Sequence, residues 1–489
     1  MLLFAAASSA ACAGLYTRRG RAVLDGDKSN DKNDDEYGSK KGREKAAQLG
    51  GGATGAKGFA GLSRRGSAAL KPALPYLSLF VKALGDQYDA ETNPEGYIAL
   101  CVAENKLTHE NMSREVQRIA RECDISGEFL QYNDMRGTPT FKTAAAQLMS
   151  AVLTDGRETI SSDTIVGASG CGAILETLMF LLTDAGDCVI CPAPYYPAFD
   201  NDLTVRGRLR IVPAQMQKPP GAGRIRITQR SLEDALAQCK GRAKVVLLTN
   251  PHNPLGCCLS REEIITTMRF CRRNQLHLVS DEIYAGSVYM DGVEFTSVLA
   301  LRGEDHEVGE ALQEGIVHVV YGLSKDFCVS GFRVGFLHTN NADVLAALDN
   351  INYFCGLSGL AQAYISSVIS DQNHGFLERF KDQNRRALRR SAHLCCKLLD
   401  VLGVPYVEPD AGLFIFANFG NICPTAARSW EGERRLVLEL AQECKIVVSP
   451  GEACHAKEPG WLRICFAWVD EDQLREAFRR IRDHFGMKE

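Results

Sequence analysis

Short apolar runs alternate with amphipathic segments through the middle of the chain. Each run is rich in small aliphatic residues and ends in a loop of small or polar residues; the runs occupy 164–167, 187–191, 244–248, 276–280, 316–321 and 332–338. Between them lie segments with helical spacing of apolar residues, such as 262–273. Strands that are apolar on both faces and alternate with helices are typical of a mostly parallel sheet covered on both sides. The pattern therefore predicts an α/β fold.

Before the alternating region the chain has a predicted short strand at 97–102 and predicted helices at 112–123 and 141–153. The last part of the chain has a different pattern, an α+β grouping, with predicted strands at 412–418, 446–448 and 461–467 and helices at 434–443 and 473–485. We therefore predict a large domain at 135–375. A smaller α+β domain is predicted from 71–134 and 376–489.

Residues 1–70 differ in composition from everything after them. An apolar, small-residue stretch precedes Arg18 and Arg19, a mixed-charge polar run covers 25–45, and Gly and Ala dominate 50–61. Such segments bury too little apolar surface to order themselves, so we predict a disordered extension. A secretory or transit peptide would need a basic start and a stronger apolar core, so the cytoplasm is the expected location.

Composition narrows the class of protein. The 489 residues are 45% hydrophobic and 24% charged, as in soluble globular proteins, and carry a net charge of -4. This charge favours neither nucleic acid nor an anionic membrane as a partner. The 18 cysteines lie mostly in apolar runs, which indicates reduced, buried thiols. Cys188 and Cys191 have CxxC spacing without a second pair, so no metal site is predicted.

Candidate chemistry lies where the predicted strands end. Lys325 follows the strand 316–321, and Arg333 comes eight residues later. A lysine there could bond covalently to a carbonyl cofactor, and an arginine could hold that cofactor's phosphate. The glycine-rich turn 167–172 lies between a strand and a helix and could bind an anion. A surface lysine and a tight turn are the alternatives for these two features.

Further polar and aromatic residues end neighbouring strands. Asp281 could keep a ring nitrogen protonated, although an isolated aspartate there is commonly a helix N-cap. Tyr284 could donate to a phenolic oxygen. Tyr195 and Tyr196 could supply an aromatic face or could be core residues. Their order along the chain, rather than any one of them, carries the prediction.

This order resembles the fold-type I pyridoxal-phosphate (PLP) enzymes of the class I/II aminotransferase family. The matching motifs are Asn250-Pro-His-Asn-Pro-Leu-Gly256, Asp281-Glu-Ile-Tyr284, Ser324-Lys325 and Gly331-Phe-Arg-Val-Gly335. The resemblance covers roughly residues 90–485 and implies a large domain with a mostly parallel seven-stranded sheet. Within the family the chain is most similar to the 1-aminocyclopropane-1-carboxylate (ACC) synthases. The supporting runs are 102–105, 191–200, 321–335, 449–451 and 458–467.

The resemblance implies roles for individual residues. Lys325 would bind the cofactor covalently and move the substrate's Cα proton, and Asp281 would pair with the pyridine nitrogen. The other implied cofactor contacts are Tyr284 and Asn253 at the phenolic oxygen, Tyr196 on the ring, and Arg333, Ser324 and the amides of Cys171 and Gly172 at the phosphate. Arg463 would bind the substrate α-carboxylate, and Glu104 would face its side chain.

Three residues depart from the family pattern. Met135 stands where a tyrosine usually reaches the neighbouring subunit's site, with Tyr132 close but out of register. Gly172 and Gly322 stand where the phosphate site usually has hydroxyls. Each lost hydroxyl removes about 1 kcal/mol of anchoring.

Three functions follow as hypotheses. The first is an ACC synthase acting on S-adenosylmethionine; the second is an aminotransferase or β,γ-lyase acting on another amino acid. The third is a non-catalytic binding protein of the same fold, against which the intact Lys325, Asp281 and Arg333 argue. The resemblance also implies a homodimer with active sites at the subunit interface.

Overall fold

The computed structural model describes residues 61–70, 74, 76–123, 125–219, 223–370 and 373–487. The chain divides into two compact units, Met1–Lys71 and Pro72–Glu489. In the first unit only 61–70 are described, and they contain helix α1 (Arg64–Ala68), where disorder was predicted. The rest of the predicted disordered extension, 1–60, lies outside the described residues.

The second unit holds the remaining described helices and all the described strands. The strands are β1 (Ile98–Ala99), β2 (Ile165–Ala168), β3 (Cys188–Ala193), β4 (Arg210–Gln215), β5 (Ala243–Thr249), β6 (His277–Asp281), β7 (Val317–Gly322), β8 (Gly335–Thr339), β9 (Phe414–Asn418), β10 (Ile446–Val447), β11 (Ser449–Pro450) and β12 (Trp461–Cys465). The helices are α2 (Leu77–Leu84), α3 (His109–Glu122), α4 (Pro139–Thr154), α5 (Cys171–Leu182), α6 (Phe199–Thr204), α7 (Gln229–Gln238), α8 (Arg261–Arg273), α9 (His306–Gln313), α10 (Leu323–Asp326), α11 (Ala342–Ile351), α12 (Gly359–Ile369), α13 (His374–Val401), α14 (Trp430–Gln442) and α15 (Glu471–His484). Short 3-10 helices lie at Gly127–Leu130, Ser162–Thr164, Val298–Leu301, Ser330–Phe332, Asn352–Phe354 and Phe419–Asn421.

The large sheet has seven strands in the order β2-β8-β7-β6-β5-β3-β4. Pairs among β4, β3, β5, β6 and β7 are parallel, whereas β8 runs antiparallel to both of its neighbours. The prediction of an α/β fold with a mostly parallel seven-stranded sheet is therefore confirmed. Parallel strands place their carboxyl ends at one edge, where Ala168, Thr249, Asp281 and Gly322 lie.

Alternate residues of the central strands pack into separate cores on the two faces of the sheet. Val246 and Leu248 of β5 belong to one buried cluster, whereas Val245 and Leu247 belong to another. This alternation follows from the two-residue period of a strand. Some of the helices begin at side-chain caps, as at α8, where Ser260 and Glu263 form a capping box. The sheet is thus buried on both sides, and only its edge is open for chemistry.

A second set of strands forms a smaller antiparallel sheet with the order β11-β12-β9, over a core of its own. Strand β1 pairs in parallel with β10 and ties the start of this unit to its C-terminal part. The predicted division into 71–134, 135–375 and 376–489 stays a prediction. No helix in the described part of the chain combines the length and the apolar character needed to cross a bilayer.

Some predicted boundaries were wrong. Strand β8 begins at Gly335 and not at 332, because 330–332 form a 3-10 turn and Arg333 adopts a left-handed backbone with φ 56°. The predicted strand 97–102 shrinks to the two residues of β1. The long helix α13 was not predicted. Charged and apolar residues alternate along this helix, so the face that is buried is defined only by the elements that pack against it.

Buried histidines should make folding stability depend on pH. Burial lowers the pKa of His318 to about 3 and that of His338 to about 4. His318 lies between His277 (3.0 Å) and the Thr339 hydroxyl (2.8 Å). An unfolded histidine titrates near pH ~6.5, so below that pH the unfolded chain binds more protons than the folded one. The stabilisation of the folded state by these neutral histidines is complete above that pH. It is lost as the pH falls toward the pKa values of the folded state.

We expect His318→Gln to reduce the loss of unfolding free energy between about pH 7.5 and about pH 5 by roughly 2 kcal/mol. Urea titrations at both pH values measure it. The matched control is His393→Gln, at an exposed histidine. An equal pH dependence in wild type and both variants would contradict the expectation.

Candidate active site

The strand ends bring most of the predicted site residues into one pocket. Lys325 lies in the single turn α10, directly after β7, and its Nζ donates a hydrogen bond to the Ala103 carbonyl at 2.5 Å. Burial lowers the pKa of Lys325 below its usual value, while the nearby Glu104 carboxylate opposes that shift. A lysine with a lowered pKa offers more of the neutral amine that attacks a carbonyl carbon.

Asp281 ends β6 and is buried, close enough to Lys325 for the two charges to interact. Its Oδ1 accepts a hydrogen bond from the Ile283 amide at 3.3 Å, and its carboxylate meets no other donor among the described residues. Burial raises the pKa of Asp281 to about 7, against the opposing effects of that amide and of Lys325. A buried carboxylate with so few donors is well suited to pair with a protonated ring nitrogen.

Arg463, on β12, is a buried cation without an anion. It is 2% exposed. Its Nη atoms donate to the Asn253 Oδ1 (3.1 Å), the Cys101 carbonyl (2.9 Å) and the Ser449 hydroxyl (3.1 Å). Its Nε is buried without a partner, and no described carboxylate pairs with it. Because burying an unpaired charge is costly, this guanidinium is arranged for an anionic ligand.

Tyr284 and Tyr196 lie near both Asp281 and Arg463. Tyr284 is buried edge-on against Phe414, with ring centroids 5.5 Å apart, and burial raises the pKa of its phenol well above the usual value. Tyr196 is partly buried; burial and the Asp202 carboxylate raise its pKa too. Neither phenol donates a hydrogen bond to a described residue. Both remain protonated at neutral pH and can serve as donors to a bound ring.

The glycine turn and Arg333 form a separate corner. Gly170, with φ 90°, is the N-cap of α5, so the amides of Cys171 and Gly172 have no acceptor within the helix. A Cβ on Gly170 would lie 2.6 Å from Arg333 Nη2, which places the guanidinium directly over the turn. Arg333 has no carboxylate partner among the described residues. Free helix amides beside an unpaired guanidinium are the elements of a phosphate site.

Gly172 and Gly322, the two glycines that depart from the family pattern, differ in the space around them. A Cβ at Gly322 would lie 2.8 Å from Cys171 Sγ and 2.9 Å from the Val334 carbonyl, so this backbone leaves no room for a hydroxyl-bearing side chain there. The thiol of Cys171 fills that space and donates to the Tyr321 carbonyl at 3.3 Å. At Gly172 the nearest atom, an Asp202 oxygen, is 3.8 Å away, so this position is open.

Several members of the pocket were not predicted. Ser330 donates to the Glu104 carboxylate, and its carbonyl accepts from Arg333 at 3.1 Å. Ser449 holds Arg463 through the hydrogen bond given above. Both serines lie inside motifs that carry the resemblance, but a serine in a loop has no sequence signal for its contacts. Ser324, by contrast, is partly buried beside Lys325 and makes no hydrogen bond to a described residue.

The pocket fits a planar, phosphorylated pyridine. The corner at Gly170 offers amides and Arg333 to a phosphate, Asp281 offers a buried carboxylate to the ring nitrogen, and Tyr284 offers a phenol to a ring oxygen. Lys325 supplies the amine. When bound, PLP would stabilise negative charge at the carbon next to the substrate's amino group.

The fold and this pocket define a PLP-dependent enzyme. A family model described as aminotransferase class I and II matches residues 95–481. The chain therefore belongs to the class I and II aminotransferase family, and its cofactor is PLP.

The curated proteins that the chain is similar to include ACC synthases of plants. The chain is 34% identical over 409 residues to 1-aminocyclopropane-1-carboxylate synthase 3 of Solanum lycopersicum, covering 81% of this chain and 84% of that protein. It is 36% identical over 454 residues to 1-aminocyclopropane-1-carboxylate synthase 4 of Oryza sativa subsp. japonica, covering 88% and 90%.

Solved aspartate aminotransferases share the fold. The Thermus thermophilus enzyme, in a structure with maleate, aligns with a TM-score of 0.70 at 23% identity, over 87% of this chain and 100% of that chain. The Rhizobium meliloti enzyme aligns with a TM-score of 0.70 at 22% identity, over 88% and 99%. At this identity the likeness shows the fold alone. The roles of the individual site residues stay predictions.

Gly170→Ala should weaken PLP binding more than its backbone strain alone explains. The new Cβ would displace Arg333 from the turn, removing a charged contact to the phosphate, so we expect about a tenfold or larger rise in the PLP dissociation constant. Gly156→Ala is the matched control, since Gly156 has φ 73° but nothing within 4 Å of a built Cβ. Spectroscopic titration of apoprotein with PLP measures both. Equal affinities in the two variants would contradict the placement of Arg333.

Proposed function

We propose that this protein converts S-adenosylmethionine to ACC and methylthioadenosine. The observation that carries the proposal is a pair of opposite charges whose fields both act on Lys325 and neither of which forms an ion pair with a described residue. Arg463 is a buried cation without a carboxylate, and Glu104 is a carboxylate that accepts from Ser330 and forms no ion pair with a described residue. A substrate with a carboxylate at one end and a positive sulfonium in its side chain would satisfy both.

Each step of the reaction has a residue for it. Arg463 would fix the α-carboxylate and so direct the Cα–H bond at Lys325, whose neutral amine would accept the proton. The electron pair left at Cα would then form a bond to the carbon that carries the sulfur. As that carbon–sulfur bond breaks, its electrons leave with methylthioadenosine, and a three-membered ring closes. Glu104 would hold the sulfonium in line until it departs.

The curated relatives support this proposal, since those compared above are named as ACC synthases and match more than four-fifths of the chain. One observation favours an alternative. Met135 stands where the family usually has a tyrosine, and only its carbonyl is engaged, accepting from Asn352 at 2.5 Å. Without a phenol there, the same pocket would suit an aminotransferase or a β,γ-lyase acting on another amino acid.

A homodimer is part of the proposal. Exposed apolar side chains cluster beside the phosphate corner, and they are Leu130, Tyr132, Tyr353, Phe354 and Leu360. The segments that bear them are adjacent, because a Cβ on Gly359 would meet the Phe129 carbonyl. The Ser169 amide, next to the glycine turn, donates to the Cys355 carbonyl at 2.7 Å. An apolar surface of this kind marks an interface, and a second copy would cover it next to each site.

Absorbance of the PLP-loaded protein before and after S-adenosylmethionine, with product analysis, tests the function. We expect a visible band that Lys325→Ala abolishes, and formation of ACC and methylthioadenosine. Inert S-adenosylmethionine, with conversion of the cofactor to its amino form by other amino acids, would replace the proposal with the aminotransferase alternative.

The isosteric variant Glu104→Gln refines this test. Removing the carboxylate should raise KM for S-adenosylmethionine about tenfold or more, because a charge-assisted contact to the sulfonium is lost. The affinity for an uncharged amino acid that competes for the site should change little. Equal effects on both ligands would contradict the assigned role of Glu104.

Phe354→Asp should dissociate the dimer, since it places a charge within the buried apolar interface. Leu438→Asp is the control, at an exposed leucine of α14 away from this patch. Light scattering with size-exclusion chromatography measures the mass of each variant. A monomeric wild type, or a dimeric Phe354→Asp variant, would contradict the proposed interface.

A further inference from the structure

A cluster of three side chains lies beside the pocket and has no role in the proposed reaction. Asp200 Oδ1 accepts a hydrogen bond from the Tyr195 phenol at 2.9 Å, and Asp200 Oδ2 lies 2.6 Å from His455 Nε2. The rings of Tyr195 and His455 stack, with centroids 4.3 Å apart and planes at 18°. The Tyr195 amide also donates to the Cys454 carbonyl at 2.8 Å. We call these contacts the His455–Asp200 clasp.

The clasp joins elements from the two sheets. Tyr195 and Asp200 lie in the segment that leads from β3 of the seven-stranded sheet into α6. Cys454 and His455 lie in the turn that follows β11 of the three-stranded sheet. This turn is held on its own side by Glu433 of α14, whose carboxylate accepts from the amides of Glu452 (2.8 Å) and Gly460 (2.7 Å).

Each half of the clasp is next to a residue that faces the ligands. Tyr196, the predicted ring contact, directly follows Tyr195. On the other half, Ser449 of β11 lies opposite Arg463 of β12 and accepts its hydrogen bond. The clasp thus links Tyr196, the predicted cofactor contact, to Ser449, which accepts the hydrogen bond from Arg463.

The His455–Asp200 pair contributes little to the stability of the fold. The side chains of His455 and Asp200 are 33% and 40% exposed, so water screens the pair and its loss costs the fold little. His455 adopts a left-handed backbone, with φ 57°, which is uncommon for a residue with a Cβ although histidine adopts it more often than most. Because the pair adds little stability, its main effect is on the position of this turn.

We propose that His455 and Asp200 are positioning residues, whose pairing holds the turn after β11, which follows the Ser449 that accepts from Arg463, against the segment that carries Tyr196 and thereby sets the affinity for the amino-acid substrate. This inference rests on the proposed function only in that Arg463 and Tyr196 bind the ligands of the reaction. Neither clasp residue takes part in the chemical step.

Kinetics of His455→Ala in the PLP-loaded enzyme test the proposal. We expect KM for the amino-acid substrate to rise about tenfold while kcat stays within about twofold, because the loss affects substrate placement and not proton transfer. His455→Gln keeps an N–H donor at similar reach and should restore most of the affinity. The double variant His455→Ala, Asp200→Asn should be no worse than His455→Ala alone, since the two residues act as one unit.

His484→Ala is the matched control. His484 forms a similar, partly exposed pair with Glu439, with its Nε2 2.7 Å from the carboxylate, between α15 and α14. It should leave KM unchanged. A wild-type KM in His455→Ala, or an equal rise in His484→Ala, would overturn the proposal.

Hydrogen exchange and circular dichroism distinguish a failure of this inference from a failure of the proposed function. In His455→Ala the Tyr195 amide should exchange several-fold faster, and the induced dichroism of the bound-cofactor band should fall, while His484→Ala matches wild type. These signals need no turnover. Unchanged exchange and dichroism would overturn the clasp even in an active enzyme. An inactive wild type with both changes present would leave the clasp standing and remove the proposed reaction.

Discussion

The withdrawal of charged groups from water, where the strand ends of the large sheet meet β12 of the small sheet, is the constraint on which the rest of the pocket depends. Asp281 and Arg463 are almost fully buried, and Lys325, whose charge interacts with both, has a lowered pKa. Such charges are costly unless hydrogen bonds compensate them. Arg463 donates hydrogen bonds to three neutral acceptors, and Asp281 accepts one from a single amide. Neither charge is therefore fully compensated. A ligand with complementary charges would gain what the protein alone leaves unmet.

The parallel sheet makes this arrangement possible because both of its faces are covered by helices over apolar cores. The side chains that face the pocket therefore lie at the carboxyl ends of the strands and in the loops that follow them. The antiparallel strand β8 begins where the parallel strands end, since its first residue, Gly335, pairs with both Ala168 and Gly322. The loop from Lys325 to Arg333 thus leaves one strand and enters the next at the same edge.

Membership of the aminotransferase family accounts for the cofactor. The residues that depart from the family pattern reflect how this particular chain packs. Gly322 is enforced by the Cys171 thiol and the Val334 carbonyl, so the absence of a hydroxyl there follows from how this pocket packs. Ser330 contacts both Glu104 and Arg333, so one loop residue joins the predicted substrate contact to the predicted phosphate contact.

The α/β class, the mostly parallel sheet and the family could all be predicted from the sequence, because buried strands and motif spacing are local properties of the chain. The pairing of Arg463 with Asn253, the crowding at Gly322 and the contacts of Ser330 required tertiary structure. In each case the partners lie in different loops, and their distances are set only when both sheets have formed. The left-handed backbone at Arg333, which shortened β8, is similar: the residue type favours no such conformation, and the packing around the turn imposes it. Short-range patterns predict elements, whereas burial and charge compensation between distant segments decide the site.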